Sequence, residues 1–192
     1  MARVAALAAV LIVGIAGAAW VFLSNSGDTV SETDSFAVPG LEPMTVTQAQ
    51  NDFFRLTPAL LLVVYEAFSA VEEDTIYDTL ASVTHGHALE YLYLERVGAM
   101  AGGGLEEADQ EIHEIKLLYT SALREGASLK IDAAWEVIGT VGHAEHLHVR
   151  GNTYSADLMV APVEGAWRIT DFTLLDVDRN SAGETFEAPA TN

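Results

Sequence analysis

A charge-free apolar run near the start of the chain constrains the fold more than any other feature of the sequence. From Val4 to Leu23 the residues are almost all aliphatic, glycine or aromatic. A run of about 20 apolar residues matches the hydrocarbon thickness of a bilayer. Arg3 precedes the run and acidic residues follow it from Asp28 onward, so the bias of basic residues keeps the N-terminus in the cytoplasm. The pattern predicts an N-terminal transmembrane helix that holds the chain in the lipid bilayer.

A cleaved signal peptide is the alternative interpretation of the same run. Ala16, Gly17 and Ala18 are small residues of the kind that a signal peptidase accepts. The apolar run continues to Leu23, which is longer than a signal peptide needs, so we favour an anchor. Both interpretations place the domain outside the cytoplasm. With the anchor retained, the chain is predicted to make a single pass in the inner (cytoplasmic) membrane, with the C-terminal domain in the periplasm or another extracytoplasmic space.

The rest of the chain divides into a spacer, one domain and a tail. Residues 24–46 are rich in Ser, Thr, Gly, Pro and acidic residues without an apolar period, which predicts a flexible acidic linker. Residues 47–179 are enough for one domain of ordinary size. Residues 180–192 have the composition of a disordered tail.

The first half of the domain has the apolar spacing of helices. Thr47 and Gln50 fit a capping box, and apolar residues then recur at helical intervals through Val71, with a bend or break expected at Pro58. Two further helices are predicted over residues 73–83 and 87–100, and the second ends at the glycine run 102–104.

The second half alternates between apolar and polar residues, as strands do. Four strands are predicted over residues 112–123, 129–141, 154–161 and 167–177. Helices followed by a meander predict an α+β domain in which the helices pack on a curved antiparallel sheet of about four strands.

Composition limits the chemistry and the partners of this domain. The chain has no cysteine, which excludes disulfides, thiol catalysis and thiolate metal sites. Its formal net charge is −19, and a strongly acidic surface repels the phosphates of nucleic acid, so no nucleic-acid partner is expected.

The order of elements resembles the cone-shaped fold of nuclear transport factor two and ketosteroid isomerase. The stretch 140–154, together with 165–170 (GAWRIT), resembles a block in uncharacterised bacterial envelope proteins. The resemblance implies a membrane-anchored outward topology and the cone fold. The function that we favour is an anchored binding or assembly module that contacts another envelope protein or a small ligand. An isomerase or dehydratase is a further alternative, but no catalytic motif is recognisable, so the sequence does not favour an enzyme.

A histidine cluster suggests a second alternative, a metal-binding protein. His146 and His148 lie two residues apart and share one face of a strand, and His143 could join them across a bend. Three imidazoles would suit Zn, Cu or Ni, with Glu145 or His85 as a fourth ligand. The competing interpretation is that these histidines are ordinary hydrogen-bonding residues of the domain.

Three polar residues downstream of the histidines form a candidate ligand-binding face. Arg150, Asn152 and Tyr154 have the same parity, so an unbroken strand points them to one side. A cation, an amide and a phenol could bind a small anionic or polar ligand. A bulge at Gly151 would break this alternation.

Overall fold

The computed structural model describes residues 30–101, 109–143 and 146–187, and the side chains within 30–101, 114–139 and 151–178. The described elements follow one another as β1 (Ser35–Val38), β2 (Leu41–Thr45), α1 (Val46–Asn51), α2 (Phe53–Ser69), α3 (Glu73–Val83), α4 (His87–Ala101), β3 (Asp109–Glu125), β4 (Ser128–His143), β5 (His146–Val163) and β6 (Ala166–Glu187). All of them belong to one compact unit that begins at Glu32.

The strands form one curled, mixed sheet in the order β2-β1-β6-β5-β4-β3. Strands β3 to β6 pair antiparallel with their chain neighbours, whereas β1 pairs parallel to β6 at Ala37 and Ala166. Register shifts interrupt the β3–β4 and β5–β6 ladders, and such bulges bend strands and increase their twist. The bent sheet can therefore partly enclose the helices that pack on it.

The predicted fold class is wrong about the sheet, which has six strands rather than about four and is not purely antiparallel. The missed strands, β1 and β2, lie within the segment 24–46 that was predicted to be a linker. They are short and one contains Pro43, which an edge strand tolerates. Phe36 and the Met44 carbonyl both contact Trp167, so long-range packing holds strands that local composition did not reveal.

Strand β6 also extends beyond its predicted end. It continues to Glu187, into the segment 180–192 predicted to be a disordered tail. No helix within the described part of the chain is long and apolar enough to span a membrane. The predicted anchor, residues 4–23, lies outside the described residues.

The helices are close to their predicted positions, except where the first one begins. Thr45 caps α1 in a complete capping box with Gln48, and the chain breaks at Asp52, before α2. Pro58 lies inside α2. The preceding Thr57 is buried, and its hydroxyl donates to the Phe53 carbonyl at 2.8 Å. The helix continues through Pro58, so a break at this proline is wrong.

The core lies between the helices and the inner face of the sheet. On β4 the residues Leu129, Ile131, Ala133, Trp135 and Val137 are buried, and the residues between them are more exposed. The predicted alternation of this strand is therefore confirmed, with its odd-numbered side chains turned inward. Buried residues of α2, α3 and α4 face the same core.

Candidate functional site

A cavity of about 440 Å³ lies between helices α2 and α4 and strands β4, β5 and β6. Its aliphatic and small lining residues are Leu61, Val64, Leu92, Ala99, Leu174 and Val177, its aromatic ones are Tyr65, Phe68, Tyr91, Trp135, Tyr154 and Phe172, and its polar ones are Glu95, Arg96 and Asn152. A mostly apolar cavity of this size with a few polar groups is typical of small-molecule sites.

Stacked aromatic rings form much of the wall. Trp135 and Tyr154 stack with ring centroids 5.9 Å apart, and Tyr91 stacks on Phe172 at the same distance. The ring centroids of Tyr65 and Tyr154 are 6.1 Å apart. These rings fix one another's orientation, so the wall is largely formed before any ligand arrives.

Tyr65 and Trp135 are joined by a hydrogen bond at the cavity wall. The indole N–H of Trp135 donates to the Tyr65 hydroxyl at 3.0 Å, and Trp135 is only 1% exposed. Burial raises the pKa of Tyr65 well above its usual value, so the phenol stays protonated at neutral pH. Because its oxygen accepts from Trp135, its own hydrogen is left to donate to another group.

Arg96 brings a positive charge to the cavity. It is 8% exposed, and one terminal nitrogen donates to the Ala70 carbonyl at 2.8 Å, which ties α4 to the end of α2. Its Nε is buried and has no hydrogen-bond partner among the described residues. Burial lowers the pKa of Arg96, yet a guanidinium remains charged in a protein. The described residues provide no carboxylate in an ion pair with it.

Two of the three residues predicted to bind a ligand line this cavity. Asn152 and Tyr154 lie opposite Val137 and Trp135 on β4, and the Asn152 amide donates to the Tyr154 hydroxyl at 3.4 Å. That phenol can therefore also donate its hydrogen. The third residue, Arg150, is in β5, but its side chain lies outside the described part.

The expected irregularity at Gly151 affects only one side of β5. Pairing with β4 continues without a shift from Arg150 to Tyr154, whereas the ladder with β6 shifts between Gly151 and Thr153. The β4 side therefore keeps the alternation that points Asn152 and Tyr154 inward.

The three predicted metal ligands belong to one hairpin, formed by β4 and β5. His143 ends β4 and His146 begins β5, where the two residues pair, and His148 pairs with Val141. Their side chains, and all of Glu145, lie outside the described residues. The described part contains no group of three or more His, Asp or Glu residues suited to a metal ion, and the metal site stays a prediction.

His85, the candidate fourth metal ligand, and His87 lie near the start of α4. His85 borders an open groove with Arg168 and Glu164. His87 contacts Asp171 through Nδ1 and Oδ1 at 2.8 Å, and both side chains are exposed. An exposed pair of this kind contributes little to stability.

Sequence reasoning missed the three cavity residues with the strongest polar chemistry: Tyr65, Arg96 and Trp135. Trp135 belongs to the alternating, inward-facing residues of β4, and Arg96 falls four residues after Leu92, which itself falls four after Ala88. Leu92 and Ala88 are both buried, and this spacing places them on one helix face with Arg96.

Comparison with known proteins gives distant likenesses only. No family model matches the chain, and no curated protein matches it. Among solved structures, the intermembrane-space region of the chloroplast protein ARC6 is 17% identical with a TM-score of 0.44, over 63% of this chain and 95% of that one. A SEC-C motif protein from Rhodopseudomonas palustris is 16% identical with a TM-score of 0.36, over 73% and 99%.

A designed β-sheet protein is similarly distant, at 12% identity and a TM-score of 0.33, over 70% of this chain and 95% of that one. Likenesses at this level carry no argument about function. The resemblance to nuclear transport factor two, ketosteroid isomerase and the envelope proteins stays a prediction.

Proposed function

We propose that this protein is an extracytoplasmic binding module whose cavity takes a small amphipathic ligand. The observation that carries the proposal is the cavity itself: about 440 Å³, walled by stacked aromatic rings and lined by Arg96, whose buried Nε has no hydrogen-bond partner among the described residues. A buried polar group without a partner is costly. A ligand that satisfied this donor would therefore gain affinity.

The proposed location rests on the sequence alone. The apolar run 4–23 follows Arg3 and precedes a segment rich in acidic residues, which favours export of the C-terminal domain across the cytoplasmic membrane. Fusion of a periplasm-dependent reporter enzyme to the C-terminus is expected to give activity. An inactive fusion that accumulates in the cytoplasm would rule out the location.

The ligand-binding proposal is tested by blocking the cavity. Ala99 lines it from α4 at an exposed position, so Ala99→Trp fills space near the opening without disturbing the core. Leu94→Trp is the matched control, because Leu94 is an exposed residue of the same helix outside the cavity lining.

Naphthylmethanol, a neutral aromatic probe, suits the calorimetric titration. The full chain in lipid nanodiscs is the sample, and empty nanodiscs provide the blank for partitioning. We expect saturable binding by the wild type and by Leu94→Trp, and a loss of about tenfold or more in Ala99→Trp from steric exclusion. Equal binding by both variants, or no saturable binding of either naphthylmethanol or its acid analogue naphthoate, would refute a ligand site in this cavity.

Assembly with another envelope protein is the second candidate. Strand β3 is at the edge of the sheet, and its Leu118, Tyr119 and Leu123 are each about half exposed or more. Long edge strands with exposed apolar residues are sites for pairing with another chain. Replacing Leu118 and Leu123 by Lys is expected to abolish co-purification of any partner, and retention of the partner would exclude β3 as the contact.

A further inference from the structure

Apart from exposed Glu95 and the amide oxygen of Asn152, the polar groups that the described side chains offer to the cavity are hydrogen-bond donors. Arg96 offers Nε, Tyr65 offers the hydroxyl hydrogen left free by its bond from Trp135, and Tyr154 offers the hydroxyl hydrogen left free by its bond from Asn152. A ligand that matches this set must present acceptors rather than donors.

The charge in the cavity narrows the class of ligand further. Arg96 carries a buried positive charge, and the described residues do not neutralise it. A buried charge is favourable only when an opposite charge pairs with it. Aromatic walls around the donors favour an apolar body.

We infer that the ligand of this cavity is a small monocarboxylate with an aromatic or otherwise bulky apolar body, and that Arg96 binds its carboxylate. The inference rests on the proposed ligand-binding function and specifies its chemistry. A carboxylate is planar and accepts only, so it can satisfy Nε of a guanidinium while accepting from a neighbouring phenol. The apolar body then occupies the space beside Trp135, Tyr154 and Phe172.

Arg96 is the one cation among the described lining residues, and a single cation favours a singly charged head group. A phosphate monoester carries a charge of about −1.5 to −2 at neutral pH, and exposed Glu95, also at the cavity lining, would repel the excess. The carboxylate is therefore preferred over a phosphate of the same body.

The test compares naphthoate with naphthylmethanol, which has the same ring system and no charge. Calorimetry on the full chain in lipid nanodiscs is expected to show naphthoate binding about tenfold or more tightly, because a hydrogen bond to a charged group is stronger than a neutral one. Naphthyl phosphate is expected to bind more weakly than naphthoate.

The ratio of the naphthoate affinity to the naphthylmethanol affinity, measured within one variant, isolates the role of Arg96. In Arg96→Met the acid is expected to lose its advantage while the alcohol binds within about threefold of the wild type. Arg55→Met removes the same charge from an exposed position on α2, so its ratio is expected to stay unchanged. Arg96→Lys is expected to recover part of the advantage, since charge remains but the planar donor geometry is lost.

Arg96 also ties α4 to the Ala70 carbonyl, so thermal melting of each variant accompanies the titrations. If Arg96→Met does not fold, the comparison of acid, alcohol and phosphate in the wild type and the ratio in Arg96→Lys still decide the inference. Equal affinity for acid and alcohol in the folded wild type would overturn it while leaving the proposed function intact. Binding of neither probe would overturn both.

Discussion

Replacing Tyr65 by Phe removes only one oxygen, yet it leaves the buried indole N–H of Trp135 without an acceptor. Trp135 is 1% exposed, and within the described residues its indole N–H makes one hydrogen bond, to the Tyr65 hydroxyl at 3.0 Å. An unsatisfied buried donor costs about 1–3 kcal/mol. We therefore expect Tyr65→Phe to lower the free energy of unfolding by that amount.

A double-mutant cycle separates this bond from the packing of the two rings. Trp135→Phe removes the donor and leaves space beside Tyr154, and the double variant removes both partners. Since the second loss no longer leaves an unpaired group, we expect a coupling free energy of about 1 kcal/mol. Urea unfolding in a fixed detergent, followed by far-ultraviolet circular dichroism, measures all four chains without depending on tryptophan emission.

Tyr77→Phe is the matched control for Tyr65→Phe. Tyr77 is 47% exposed, so loss of its hydroxyl is expected to change the free energy of unfolding by less than about 0.5 kcal/mol. A Tyr65→Phe cost no larger than that of the control, or a coupling energy below about 0.3 kcal/mol, would refute the hydrogen-bonded wall described above.

Three further predictions test the fold and its electrostatics. Gly126 has a left-handed turn conformation (φ +66°), so Gly126→Ala is expected to lower the free energy of unfolding in urea by about 1–2 kcal/mol. Gly98→Ala, in the helix α4, is the control and is expected to raise it by about 0.5–1 kcal/mol. Equal effects of the two variants would contradict the turn. Trp167→Phe breaks a hydrogen bond to β2 and is expected to speed proteolysis at the β1–β2 turn; unchanged cleavage would argue against docking of that hairpin. Hydrogen bonding to Arg124 lowers the pKa of Glu32 from 4.5, so the contribution of Glu32 to stability is present above that pH and is lost as pH falls through the lowered value. We therefore expect Glu32→Gln to be less stable than the wild type at neutral pH and equally stable in acid. A difference in stability that does not change with pH would contradict the pairing of Glu32 with Arg124.

The sequence revealed those elements whose pattern is local and repeated. Helix α3 was predicted over residues 73–83 and occupies Glu73–Val83, because its apolar spacing and flanking polar residues agree. The inward turn of odd-numbered residues on β4 was equally plain from its alternation.

Elements whose position depends on a choice between similar local signals were placed less well. Thr45 with Gln48 and Thr47 with Gln50 both satisfy the capping-box spacing. The structure uses the first pair. Strands β1 and β2 were missed because they depend on pairing with each other, on the pairing of β1 with β6 and on packing against Trp167.

In the candidate site, too, the residues that follow a local pattern were predicted, and the residues that only the tertiary fold brings together were not. Alternation along β5 grouped Asn152 with Tyr154, and both line the cavity. The remaining polar residues of the cavity were not predicted, because Tyr65, Arg96 and Trp135 come from three separate elements. Only the tertiary fold shows that Arg96 of α4 is buried beside aromatic residues of β4 and β5.

The most direct test of the central claim is the side-chain Nε–H resonance of Arg96 in a nuclear magnetic resonance titration of the full chain with naphthoate. Arg96→Lys assigns the signal, and naphthylmethanol serves as the uncharged reference. The account predicts a saturable downfield shift of this resonance with the acid, as expected for a new charge-assisted hydrogen bond, and little change with the alcohol. A resonance that stays in place while naphthoate saturates the protein would contradict the claim that Arg96 binds the ligand.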